Sequence, residues 1–421
     1  MKQKLITTST LMTATLSILI LGACSNSTDT ASDTKAPAPV APAEDNEAME
    51  ELFADSMEVS DTPVDAAAAP AGNGSINVDI TAKPPGYLSE YGLFKDMARQ
   101  IPNDGVYPYE LNNGHFSDGL DVQRFIWMPQ GSQATYNDAL RFDFPVGTLL
   151  LQTFSYGDKC IESRLLLRQT ENWTLTAYKW NDEGTDARKA VAGGIVTLTT
   201  DEGVDPEKYI ILNMNDCKRC HENQETLFPL GLTARNLNRD INTSDGPQNQ
   251  LAHWVQSGIL TDAPQDTADY PAGVQWDNPE SGSINDRARA WLDTNCAHCH
   301  NPLGAGNMSG LDLSITQQDP LRIGIYKPPV AAGRGSDGHK FSIDPGSPQT
   351  SFIVRRLNSI DAAVMMPPLG RMKAAEAPAT LVAEWIAAMK FGEAEAEELK
   401  AKQLAEFERL QKEAAELEVA Q

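Results

Sequence analysis

The sequence predicts an α+β chain of several domains, an N-terminal antiparallel β-sandwich-like domain followed by a mostly α-helical region. Three observations lead there. From about Val78 to Leu212, apolar residues recur at period two in short runs separated by Gly, Asn and Asp, the pattern of half-buried antiparallel strands. Beyond Leu212 the apolar spacing becomes helical. The helical part also holds one five-residue motif twice, as Cys217-Lys218-Arg219-Cys220-His221 and Cys296-Ala297-His298-Cys299-His300.

The chain opens with an export signal. Lys2 and Lys4 precede a mostly apolar stretch, Leu11 to Leu21, that is too short and wrongly flanked for a permanent membrane span. It ends in Leu21-Gly22-Ala23-Cys24, and small residues before a cysteine at this point resemble a lipoprotein signal. That resemblance implies removal of residues 1–23 and acylation (palmitate among the chains) at Cys24, holding the protein on a membrane. Ser25 rather than Asp after the cysteine favours the periplasmic side of the outer membrane, by the same resemblance. Residues 24–75 are Ala, Pro, Asp, Glu, Ser and Thr with almost nothing to build a core, and read as a disordered tether.

The 421 residues carry a formal charge of -24. A surface that acidic excludes nucleic acid, whose binders are basic, and would steer a basic redox protein towards this one. Of six cysteines, Cys24 is assigned to lipid and four belong to the two motifs; Cys160 is left, read as a buried structural thiol with an unusual free thiol as the alternative.

Within the β-rich domain, residues 76–212, a short helix is expected at Tyr87–Met97. Strands are expected at Arg124–Met128, Leu140–Phe144, Thr148–Phe154, Ile161–Arg168, Trp173–Trp180 and Gly194–Thr200. No catalytic set stands out. His115, in Asn112-Asn113-Gly114-His115-Phe116, reads as a loop histidine with an alternative role as a ligand.

Residues 213–280 form the first motif region. C-x-x-C-H is the attachment sequence of a c-type haem: both cysteines bond the porphyrin and the histidine turns to the iron. This assigns Cys217 and Cys220 as anchors and His221 as proximal ligand. Gln248–Gly258 reads as a helix through Leu251, Trp254 and Val255, with Gly258 as its stop. His253 on that helix is the candidate sixth ligand, ahead of Met214, with His339 and His115 as further alternatives and an open distal face as the contrary reading.

Residues 281–391 form the second region. A helix at Ser283–Asn295 leads into Cys296, Cys299 and the proximal His300; a Gly/Pro-rich loop, Met365-Met366-Pro367-Pro368 and a last helix at Ala379–Met389 follow. Met366 is the expected distal ligand, with Met308 and Met365 as alternatives, since a thioether raises the haem potential relative to a second imidazole. Residues 392–421 make an acidic helical tail. Its Phe407, Leu410, Ala414 and Leu417 suit either a partner helix or a solvated end.

This order resembles that of a class I cytochrome c. Several segments together also resemble a poorly characterised group of exported bacterial c-type haem lipoproteins. They are Pro145-Val146-Gly147-Thr148, Leu237-Asn238-Arg239-Asp240, Asn249-Gln250-Leu251-Ala252-His253-Trp254 and Asn295-Cys296-Ala297-His298-Cys299-His300-Asn301-Pro302. Pro329-Val330-Ala331-Ala332-Gly333-Arg334-Gly335 and Met366-Pro367-Pro368-Leu369-Gly370-Arg371 complete the set, over about Pro85 to Met389. The resemblance implies two covalent haems c and their iron. Members are often encoded beside a right-handed parallel β-helix protein, which implies an envelope partner and no particular substrate. The expectation is a membrane-anchored dihaem electron carrier of the cell envelope. The alternatives are a haem-dependent, peroxidase-like oxidoreductase with an open first haem, and a haem-bearing docking protein.

Overall fold

A computed structural model describes residues 76–198, 207–243, 246–330 and 336–419. The signal peptide, Cys24, the tether and Ala331–Gly335 lie outside the described residues.

The β-rich part is a six-stranded antiparallel sheet in sequence order: β1 (Val106–Pro108), β2 (Asp121–Trp127), β3 (Leu149–Tyr156), β4 (Lys159–Arg168), β5 (Trp173–Trp180) and β6 (Ala187–Lys189). From β3 to β6 neighbouring strands follow each other through short connections, as antiparallel pairing allows, whereas longer segments join β1 to β2 and β2 to β3. Register is set by apolar rows. Ile126, Leu150, Leu166 and Leu175 are aligned across β2 to β5, as are Phe125, Leu151 and Leu165 on the other face. The runs Leu149-Leu150-Leu151 and Leu165-Leu166-Leu167 are continuous because both faces of the sheet are covered.

What covers them departs from the sandwich expectation. Among the described residues no second large sheet packs on the first; the remaining sheets are two-stranded. One face meets Leu88, Tyr91, Leu93 and Phe94 from the N-terminal side of the domain. The other shares a core with Leu227, Leu232, Leu237, Leu251 and Trp254, which belong to the first motif region. The core therefore runs across the boundary expected at residue 212. Two local expectations also change. The Tyr87–Met97 helix is a single turn, Leu88–Tyr91, stopped by Gly92 at φ +68°, before Phe94–Asp96 runs extended. Leu140–Phe144 buries Phe142 and Phe144 but joins its neighbours only through isolated bridges, Thr135 to Asp143 and Arg141 to Thr233.

A hairpin, β7 (Gly194–Leu198) with β8 (Glu207–Ile211), leads out of the sheet. Helix α1 (Met214–His221) carries the first motif, and the Asn213 side chain caps it by accepting from Asn215 N and Asp216 N. Short α2 (Ala234–Leu237) and α3 (Gln250–Gln256) follow and bury Leu237, Leu251 and Trp254 against the sheet.

The second region has its own core. Helix α4 (Ile284–Asn295) begins in a capping box, Ser283 with Asp286, and ends where Cys296 begins. After α5 (Pro320–Ile323) and α6 (Phe352–Asn358), α7 (Glu376–Ala388) buries Val382, Trp385 and Ile386 with Trp291 and Leu292 of α4. Trp385 Nε1 donates to Asn285 Oδ1 at 3.0 Å, fixing how the two helices align. Helix α8 (Glu393–Val419) is the tail. Its first half joins this core: Leu399 is buried and Gln403 Nε2 donates to Leu321 O and Ile325 O. Phe407 is half-buried and Leu410 exposed; the side chains of Ala414 and Leu417 lie outside the described residues. No helix among the described residues is long and apolar enough to cross a membrane.

Candidate cofactor site

Each motif lines a cleft. The first holds about 1180 Å³ of empty space, its open mouth included, and is walled by Cys217, Cys220 and His221 together with the sheet face carrying Arg124, Gln152 and Arg164. The second, about 1460 Å³ on the same measure, is walled by Cys296, Cys299 and His300 and, from the loop before α7, by Met366. Cys220, Asn295, His298, Pro367 and Leu369 line both, so the clefts adjoin.

The two motif histidines are held alike. His221 Nδ1 lies 2.8 Å from Phe228 O, a carbonyl that can only accept. His300 Nδ1 lies 2.9 Å from Ser309 Oγ, whose own hydroxyl donates to Gly306 O at 2.6 Å. Both arrangements put the proton on Nδ1 and leave the Nε2 lone pair available, as orienting partners do for ligating imidazoles. Burial, foremost, pushes both rings down to about 4, so they are neutral at neutral pH. Gly306 makes room for His300: a Cβ there would sit 2.9 Å from Nδ1.

The described cysteines are all free thiols. Burial raises Cys217 to about 11 and Cys296 to about 12. Reactive redox dithiols have lowered values, so these two are not poised thiolates. The close pair is formed between the motifs. Cys220 donates to Cys299, which raises the first thiol and lowers the second. One ligand atom each of Cys220, His298 and Cys299 lies within 4.8 Å of the others.

The charge lining the clefts is opposite to that of the chain. Among the described residues, the ionisable wall groups besides Cys, His and Tyr are Arg124, Arg164 and Arg371 in the first cleft and Arg219, Lys327 and Arg356 in the second, with no Asp or Glu. Arg164 is engaged with Glu162 at 2.8 Å. Arg124 forms no ion pair among the described residues, and its Nε is buried without a hydrogen-bond partner. Two apolar-walled clefts, each with both cysteines of a motif, an imidazole whose Nε2 is left available and cationic side chains in the wall that could meet propionates, fit a covalently attached haem.

Met366 lines the cleft of His300; Met308 also lines it but is 82% exposed. Met365 is not among the wall residues. His253 lines neither cleft: α3 is seated by the fully buried Leu251 and Trp254, and the half-buried ring at 253 falls outside both. Met214 and His339 are likewise outside. His115 is in the wall of the first cleft, its ring centroid 5.5 Å from that of His298. Cys160 on β4 is half-buried beside Ser155 Oγ, and burial raises its thiol.

Two residues that sequence reasoning passed over hold the Met366 loop. Arg371, 2% exposed, donates to the carbonyls of Arg356, Leu357, Ser359, Pro367 and Lys373. Asp118, in the turn before β2, accepts from Met372 N at 2.7 Å and Lys373 N at 3.1 Å. No family model, curated protein or solved structure matches the chain.

Proposed function

We propose that the protein is a dihaem c-type cytochrome, a membrane-anchored electron carrier of the cell envelope related to the exported haem lipoproteins it resembles. Cys217 and Cys220 anchor one haem and Cys296 and Cys299 the other, with His221 and His300 as proximal ligands and Met366 as the distal ligand of the second. Each haem, when bound, supplies a one-electron iron couple. The α4–α7 pairing and the Met366 loop support a class I cytochrome c arrangement for the second region. Cys24 is the lipid anchor, and the donor or acceptor is a redox protein, basic where it docks; a parallel β-helix envelope protein is a further candidate partner.

The observation that carries this reading is the pair of motif histidines, each with Nδ1 engaged and Nε2 free in a cleft that also holds both motif cysteines. The meeting of Cys220 with Cys299 adds the electron path: sulfurs that would each be one bond from a porphyrin lie within 4.8 Å.

The same Cys220, His298 and Cys299 cluster favours a second reading, a transition-metal site of thiolate and imidazole ligands. Covalent haem content separates the two. A carrier holds two haems per chain, and replacing both cysteines of either motif by alanine leaves one. A thiolate metal site holds none, and either double substitution abolishes metal binding.

A further inference from the structure

We propose that His115 is the second axial ligand of the haem attached at Cys217 and Cys220. The inference rests on the dihaem reading and assigns the coordination that reading leaves open.

Three observations on the loop carry it. His115 lies in the wall of the first cleft with Cys217, Cys220 and His221. Its Nε2 is buried and has no hydrogen-bond partner among the described residues. A buried imidazole nitrogen without a partner is costly, and a group that arrives later is the usual reason such an atom persists. The loop is also held rigidly on either side of the ring. Asn295 Oδ1 accepts from Phe116 N at 2.7 Å and its Nδ2 donates to Gly114 O at 3.4 Å, so one buried side chain brackets His115. Upstream, Asn112 Nδ2 donates to Arg235 O and Asn238 O, and Asn113 exchanges bonds with Asn236. A loop fastened this way fixes the ring before any ligand enters.

The competitors are placed otherwise. His298 also lines the first cleft and its Nδ1 is likewise buried without a partner among the described residues, but one of its ring nitrogens lies within 4.8 Å of the Cys220 and Cys299 sulfurs, which places it beside the attachment cysteines. His253, His339, Met214 and Met308 do not line this cleft. Asn295 directly precedes Cys296, so the residue that clamps the first ligand's loop adjoins the second attachment motif.

The test uses the full chain expressed in a host that attaches haem c, as wild type, His115→Ala and His115→Met. Covalent haem is counted by pyridine haemochrome; ligation is read by electron paramagnetic resonance and carbon monoxide titration. With two haems in every protein, the wild type should show one bis-imidazole low-spin centre and bind no carbon monoxide. His115→Ala should lose that centre and bind carbon monoxide at one haem in two. His115→Met should regain six-coordination with a sulfur-to-iron charge-transfer band and a higher potential, a conversion that mere repacking would not produce. Two haems with an unchanged bis-imidazole signal in both variants overturn the assignment, as does a wild type that binds carbon monoxide at one haem. Fewer than two covalent haems in the wild type overturn the dihaem reading itself. If the alanine variant fails to fold, the methionine variant decides.

Discussion

His221 and His300 reach the same chemical state by different means. One ring leans on a backbone carbonyl, the other on a serine hydroxyl that is itself committed as a donor. The second arrangement depends on Gly306, whose φ of -94° any residue could adopt; glycine is needed there for space alone. Gly306→Ala should therefore leave two haems attached but displace His300, seen as loss of one low-spin centre; an unchanged spectrum would mean that the ring has room to move. Met366 gives a second residue-scale prediction. Met366→Ala should open the second haem to carbon monoxide, and Met366→His should lower its potential while keeping it six-coordinate. A carbon monoxide-inert alanine variant would move the ligand to Met308.

At the scale of elements, α4 packs on α7 and leads into Cys296, and the segment between the two helices brings Met366 into the wall of the second cleft. That segment is tied back by Asp118, 254 positions away in sequence. Asp118→Ala would leave the Met372 and Lys373 amides without their acceptor, and urea titration should show a loss of about 1–3 kcal/mol. Burial raises the Asp118 carboxyl above its ordinary value of 3.8, with the two amide bonds opposing. Its titration therefore favours the fold below that value, and the contribution is lost as pH rises through the raised one; the alanine variant should lack this step in its stability–pH curve. The two motifs, α4 and α7 were legible in the sequence because C-x-x-C-H is a fixed short spacing, the one that covalent haem attachment would require, and amphipathic helices repeat at a known period. Asp118, Arg371 and Asn295 were not: each acts through long-range bonds to backbone groups, and an isolated polar residue gives no sign of which distant carbonyl or amide it will meet.

At the scale of the whole molecule, an acidic chain holds two basic clefts. A formal charge of -24 coexists with clefts lined by Arg and Lys and, among the described residues, by no carboxylate. Alternation in the β-rich half announced antiparallel strands, and the six-stranded sheet is there. It could not announce that the partner of one face would be the first motif region rather than a second sheet, because an apolar row reads the same whatever covers it. That packing brings α1 and α4 together at Cys220 and Cys299, a contact that local sequence does not encode. The tail likewise docks on its own domain through Leu399 and Gln403.

The central claim is that both motifs carry haem. Intact mass spectrometry of the full chain, with a pyridine haemochrome count on the same sample, tests it most directly. The account predicts two haems per chain that survive acid–acetone extraction, with Cys217, Cys220, Cys296 and Cys299 all unavailable to thiol alkylation. A chain with no covalent haem whose four cysteines alkylate freely would contradict it.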